Sequence, residues 1–430
     1  MAVPGPRNVG GRRENKAMGT AAEHAREFDR ISDRITALNA EKARIDAELA
    51  ASTEELRKVF ETKMMDHFWP GRPGPHRTNL ADTTTATEIA CLLRISERSA
   101  HRLVQYSALL VNYHPRTLSA LREGAISWPH ATTLLHEYLG LPHHAAARLE
   151  EALLPIAADT TVPRLSYRAR RLRTELHPEA LEKRACTAAQ GRRVDLEAAD
   201  DAMAWLHVHL PATDAAAIDA RLTHAARTLE GPAERRTLPQ LRIDVLTDLL
   251  LGDSARPDHG GAPGSSASGG YRIRAHVNVT VPVLTLLGVD DAPADLEGYG
   301  PIPADIARRL AAHAPSFTRL LTHPETGAVL SVGRNTYAVP ADLKKWLRVR
   351  DRTCRHPGCS IPAVRCELDH TVPWSRGGPT THDNLAHLCR KHHMLKSEGI
   401  WHYDQPTPGT LVATSPGGRA YACDPEPPPF

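Results

Sequence analysis

Aromatic residues are scarce: Phe, Trp and Tyr together make up 5% of the 430 residues. Any core must therefore be built mainly from aliphatic side chains and alanine. Seven cysteines are too few for the disulfide framework of a small secreted domain. No apolar run approaches the ~20 residues needed to span a bilayer. The longest, Val277 to Val289, carries Pro282. The opening stretch MAVPGPRNVGGRRENKAMGT has basic residues but no apolar segment of the secretory kind, so a cytoplasmic location is expected. An excess of one charge is also lacking, since 53 basic and 50 acidic residues leave a net charge of +3. Nucleic-acid binding can then be argued only from local clusters. Hydrophobic residues at 41% and charged residues at 24% exclude a largely disordered chain.

At roughly 150 residues per domain, the length suggests two or three domains. Residues 1–20, rich in Gly, Pro and Arg, read as a disordered tail. Residues 21–68 read as one long amphipathic helix. In it Phe28, Ile31, Ile35, Leu38, Ile45, Leu49, Leu56 and Val59 follow steps of three and four, with Lys42 and Ser52 at two seam positions. Such a seam either joins two copies as a coiled-coil homodimer or folds against its own domain. WPGRPGPHRTN, Trp69 to Asn79, breaks the pattern.

Residues 80–252 are dominated by helical periodicity, interrupted by a strand-like MAWLHVHLP, Met203 to Pro211. Within them Thr87 to Val104 has the spacing of a helix-turn-helix at Ala90, Ile95, Ser96 and Leu103, with Arg94 where the turn often has Gly. Ordinary three-helix packing produces the same pattern. Residues 253–270 form a Gly/Ser/Pro linker. Residues 271–340 read as an α+β continuation. Tyr271 to Val283 alternates as a strand, PADIARRLAAHA is a short helix with Pro303 near its start, and HPETGAVLSVG suggests a hairpin. Residues 341–403 hold a cysteine-rich module, and 404–430 a β-prone extension ending in PEPPPF.

The chemistry concentrates in CRHPGCSIPAVRCELDHTVPWSRGGPTTHDNLAHLCRKHHMLK, Cys354 to Lys396. Cys354-x4-Cys359 followed by Cys389-x2-His392 has the paired spacing of a structural zinc site. Such a site would add on the order of 10 kcal/mol of folding free energy to a module with little core. Cys366 is a rival ligand or a small buried hydrophobe. A second set is interleaved with the first: Asp369-His370, Asn384 and His393. On a strand, neighbouring side chains point to opposite faces, so Asp369 and His370 should play different parts. His382, His387 and His402 read as solvated or packing residues.

These residues resemble the HNH endonuclease family. ELDHTVPW resembles the family's strand with its Asp-His pair, SRGGPTTHDN its Gly-Gly loop, Asn384-Leu385 its Asn-Leu step, and CRKHHMLK its final helix. The resemblance implies two antiparallel strands and a helix around one divalent ion, Mg²⁺ or Mn²⁺. It implies that His370 is the general base and that Asn384 orients the His370 ring or the metal shell. It also implies that His393, with Asp369, holds the catalytic ion. His392 departs from the pattern, standing where many relatives have a second Cys. A non-cleaving DNA-binding or regulatory protein that keeps the zinc fold is the rival reading. A zinc-stabilised scaffold that touches no nucleic acid is a third.

From about Ala81 to Tyr421, ISWPHATTL, GYGPIPADIARRLA, LLTHPETGAVLSVGR and VRDRTCRHPGCSIPAVRCELDHTVPW also resemble a large family with a helical N-terminal domain of unknown function and a C-terminal HNH domain. The expected fold is thus a mainly α N-terminal domain, a small α+β middle region, and a zinc-stabilised ββα-metal module. DNA is the expected partner, and no membrane is. Lys344, Lys345, Arg348, Arg350 and Arg352, with Arg355 and Trp346 nearby, lead into the module. Together with Arg390, Lys391 and Lys396 they are the candidate phosphate contacts. A second basic run, Arg164, Arg168, Arg170, Arg171 and Arg173, is either another such contact or a solvated, salt-bridged face.

Overall fold

The computed structural model describes residues 11–64, 74–177, 179–251, 278–297, 299–312 and 338–425. The chain forms two compact units, Met1–Leu181 with Thr318–Pro428, and Glu182–Phe317 with Pro429–Phe430. This division differs from the expected one, because the first helices share a unit with the cysteine-rich module.

In the first unit, α1 (Gly11–Val59) begins inside the expected tail, of which 1–10 lie outside the described residues. Its buried stripe is Ala43, Ala47 and Ala50, continued by Thr53, Glu54 and Arg57, while the seam residues Leu49, Leu56 and Val59 are half-buried. Small side chains let neighbouring helices approach closely. Phe28, Ile31, Ile35, Leu38 and Ile45 stay 44–70% exposed. The helix ends in a π turn at Phe60–Met64. The expected break at Trp69–Asn79 falls partly outside the described residues, and α2 (Gly74–Leu93) is already helical from Gly74.

A tight turn follows, with Arg94 at a positive φ of 54°. Ser96 then caps α3 (Glu97–Asn112), its side chain accepting from the Ser99 amide. Helices α4 (Pro115–Arg122), α5 (Trp128–Tyr138), α6 (His143–Ala158) and α7 (Val162–Leu176) complete the bundle. Leu110, Leu121, Leu134, Leu135, Leu149, Leu153 and Leu165 are fully buried in it. Leucine and alanine fill most of this core, with Tyr138 buried among them.

Helix α8 (Glu179–Gln190) leads into the second unit. There β1 (Arg193–Ala198) and β2 (Ala204–His209) pair antiparallel, followed by α9 (Ala212–Thr228) and α10 (Leu238–Leu251). The expected linker 253–270 and the strand-like residues 271–277 lie outside the described residues. Strands β3 (Val279–Thr280), β4 (Ala294–Leu296) and β5 (Gly300–Ile302) form an antiparallel sheet in that order. Short helix α11 (Val283–Leu286) lies between β3 and β4, and α12 (Ala304–Ala312) follows β5. The expected hairpin at HPETGAVLSVG lies outside the described residues.

Back in the first unit, α13 (Ala341–Asp351) buries Leu343 and Leu347 beside Leu385. Strands β6 (Glu367–His370) and β7 (Leu385–Leu388) pair antiparallel with Asp369 opposite Ala386 and His370 opposite Leu385. Helix α14 (Arg390–Ser397) completes the ββα element. Strands β8 (His402–Thr407), β9 (Thr410–Thr414) and β10 (Ala420–Cys423) form a sheet ordered β10-β9-β8. This sheet is no appendage. Trp401, Tyr403, Leu411 and Ala413 share one core with Cys354, Cys359, Cys389 and Leu395, and with Leu80 and Cys91 of α2. Among the described residues, no helix is long and apolar enough to cross a membrane.

Candidate metal centres of the C-terminal module

The loop after α13 carries Cys354 and Cys359, and the first turn of α14 carries His392, with Cys389 at its N-cap. Their four ligand atoms lie within 4.8 Å of one another. His392 Nδ1 is 3.3 Å from Cys354 Sγ and 3.3 Å from Cys389 Sγ. Ligand atoms around a tetrahedral zinc stand about 3.5–3.8 Å apart, so the two His392–thiol separations come within a few tenths of an ångström of that spacing, and Cys359 completes the group. Burial pushes the Cys354 thiol well up, a cost that a bound cation reverses. Cys366 lies outside this group, its thiol directed at the carbonyls of Ile361 (3.6 Å) and Pro362 (3.4 Å). The far side of the His392 ring is also held: Nε2 donates to Glu97 Oε1 at 2.8 Å. His356 stacks on the same ring at 3.9 Å between centroids.

The second cluster lies across β6, where alternation separates two functions. Asp369 faces α14 and His370 faces the loop that follows β6. Asp369 Oδ1 is 3.4 Å from His393 Nε2, and His393 Nδ1 stands 2.7 Å from Glu367 Oε2. Two ligands of one octahedral ion stand about 3 Å apart, so Asp369 and His393 can share a divalent ion. Glu367 would fix the ring from behind. Lys396 Nζ pairs with Asp369 Oδ2 and donates to the His370 carbonyl at 2.5 Å. His370 is 6% exposed, and its Nε2 shares a hydrogen bond of 2.9 Å with Thr380 Oγ1. Burial pushes its pKa below the usual imidazole value; Asp369 opposes this and Lys396 adds to it.

Asn384 is tied elsewhere than expected. Its Oδ1 accepts from the Val372 amide at 2.8 Å, and its Nδ2 donates to Val372 O (3.1 Å) and Pro379 O (2.8 Å). The amide therefore shapes the loop, not the His370 ring. The loop closes so tightly that a Cβ on Gly378 would stand 1.8 Å from Val372 O. That is why the Gly-Gly step is needed here.

The basic residues divide sharply. Lys344, Lys345, Arg348 and Arg390 are exposed, and Arg352 is half-buried at a φ of 53°. Arg350 is not a surface residue. Its guanidinium binds Asp351 Oδ1 (2.7 Å), Leu385 O (2.7 Å) and His382 O (2.5 Å). Asp351 also accepts from the amide (3.0 Å) and Nδ1 (2.8 Å) of His387, which ties α13 to β7. Lys391 is paired with Glu97 at 2.5 Å, and Lys396 serves Asp369. These three were expected to meet phosphate; internal carboxylates take them instead. In the second basic run, Arg173 is buried and donates to Glu137 O and Leu139 O, so it holds α7 to α5.

Sequence reasoning missed Thr380, Glu367 and Glu97. Glu367 carried a signal, since two residues before Asp369 on a strand is the same face. Glu97 carried none, being far away in the chain.

Residues 354–399 match the HNH endonuclease family, and residues 36–351 match a family described as Domain of unknown function (DUF222). Uncharacterized protein Rv3776 of Mycobacterium tuberculosis (strain ATCC 25618 / H37Rv) is 31% identical over 383 residues, covering 79% of this chain and 70% of the relative. Uncharacterized protein Rv2100 of the same strain is 30% identical over 398 residues, covering 79% of this chain and 69% of the relative. No solved structure matches. The chain therefore belongs to the DUF222 family and carries an HNH endonuclease domain at its C-terminal end.

Proposed function

We propose that the C-terminal module hydrolyses DNA phosphodiester bonds, with His370 as general base. The observation that carries this reading is the split across β6. Asp369 meets His393 on one side, while His370 is held by Thr380 on the other. A phosphodiester repels an anionic nucleophile and has a poor leaving group. A divalent ion, Mg²⁺ or Mn²⁺, held by Asp369 and His393 supplies charge neutralisation at the phosphate and the departing oxygen. His370 takes the proton from the attacking water, an effect worth roughly 10²–10⁴-fold. Thr380 fixes its ring, and Asn384 holds the loop that carries Thr380. Cys354, Cys359, Cys389 and His392 bind a structural Zn²⁺. Lys344, Lys345, Arg348 and Arg390 contact the DNA backbone, with Arg352 at their edge. Seven cysteines, none in a disulfide, suit a reducing compartment, and we place the protein in the cytoplasm.

The test is plasmid nicking by the full chain. Nicking in Mg²⁺ or Mn²⁺, abolished by chelation, is expected; intact plasmid under all conditions overturns the reading. One observation favours the rival, non-cleaving reading: the Lys396 ammonium pairs with the carboxylate that a divalent ion would use. Salt-dependent DNA binding without nicking would establish that rival. The exposed seam Phe28, Ile31, Ile35, Leu38 and Ile45 supports a homodimer through α1. Light scattering should give twice the chain mass, falling to one chain in Ile35→Asp. A monomeric wild type removes the dimer.

A further inference from the structure

The zinc reading leaves one neighbour without a role. Glu97, the first residue of α3, is mostly buried against the cysteine-rich module, far from it in sequence. We propose that Glu97 is the outer carboxylate of the zinc site, so that metal loading of the HNH module and docking of the helical half onto it form one coupled equilibrium. The proposal rests on the structural-zinc reading and goes beyond it.

Four observations carry it. First, the His392 ring is used at both edges. Nδ1 faces the thiols of Cys354 and Cys389 at 3.3 Å, and Nε2 donates to Glu97 Oε1 at 2.8 Å. A carboxylate on the outer nitrogen fixes a metal-binding histidine's tautomer and ring plane. Second, the added carboxylate has its own counter-charge. Three thiolates and Zn²⁺ leave one net negative charge, and Lys391, 2.5 Å from Glu97 Oε2, offsets the further one that Glu97 brings. Third, Glu97 opens a helix capped by Ser96, where the helix dipole favours a carboxylate. Fourth, the contact is a seat, not a single bond. Leu80 and Cys91 of α2 share the module's core, and a Cβ on Gly358, between the two loop cysteines, would lie 3.6 Å from Ile95 O. The turn spaced like a helix-turn-helix thus rests on the zinc loop, with the first residue of its second helix engaged there.

The same geometry gives His392 a purpose. A cysteine at that position could bind zinc but would offer no second nitrogen to Glu97. The departure from a Cys-x2-Cys pair is what lets the helical half reach the metal.

The experiment measures zinc affinity of the full chain by competition with a chromophoric chelator. The variants are Glu97→Gln, His392→Cys and their combination. Glu97→Gln should weaken zinc about 10–100-fold in the wild-type background. In the His392→Cys background, which keeps the metal, it should change affinity by less than about twofold. Hydrogen exchange adds a readout independent of these variants: removing zinc from the wild type should deprotect the first turn of α3. A wild type that binds no zinc defeats the underlying zinc reading. Zinc binding that is unaltered by Glu97→Gln defeats the coupling and leaves the zinc reading standing. An equal loss in both backgrounds shows general packing, and it too overturns the proposal. If the His392→Cys chain does not fold, unchanged exchange in α3 on zinc removal is the overturning result.

Discussion

Asp351→Asn tests how the site is held. Asp351 is 2% exposed and stands between two buried guanidinium groups: Arg350 Nε at 2.7 Å and Arg355 Nε at 4.0 Å. The same carboxylate takes two hydrogen bonds from His387 on β7. Removing one charge of a buried pair leaves its partner desolvated and uncompensated, at a cost of about 3–5 kcal/mol. The substitution keeps shape and one acceptor, so the low end, about 3 kcal/mol, is expected. For a unit of this size that is a fall in melting temperature on the order of 5–10 °C. The pH dependence gives a second reading. Burial pushes the Asp351 carboxyl up, but the His387 hydrogen bond and the Arg350 charge outweigh this and hold it below its usual value of 3.8. Its stabilisation is therefore full above that value and is lost as pH falls through the depressed one. The difference between wild type and Asp351→Asn should shrink in strong acid. Calorimetry on both proteins from pH 7 down to about pH 2 decides it. A loss under about 1 kcal/mol at pH 7, or one that grows in acid, would refute the buried-pair reasoning.

Two further outcomes are expected. Cys354→Ser and Cys389→Ser should each lower bound zinc, read by elemental analysis, and reduce the melting temperature of the first unit; unchanged metal content in both removes the zinc site. Cys366→Ser should leave zinc content as it is, because Cys366 neighbours Cys354 but lies outside the group of four, its thiol donating to two carbonyls.

Local pattern carried the module far. The ligand spacing, the alternation along Glu367–His370 and the basic helix α13 all rest on neighbours within a few positions, where period and chemistry can be read directly. What stayed hidden was the choice among partners. Arg350 and Arg348 look alike in sequence, yet one is internal and the other exposed, because a strand far along the chain presents Leu385 O to only one of them. The heptad of α1 is visible, but its first five apolar positions stay exposed, and the buried face is an alanine stripe that runs into Thr53, Glu54 and Arg57, which a hydrophobicity pattern underweights. Asn384 matched its motif position, while its side chain serves the backbone of Val372 and Pro379. Glu97 meets His392 only through the tertiary fold, and no periodicity encodes that.

The most direct measurement compares plasmid nicking by wild type and His370→Ala at equal zinc content. The account predicts that the variant keeps its zinc and its DNA affinity while its nicking rate falls by about 10² or more. Nicking by His370→Ala at the wild-type rate would contradict the assignment of the base.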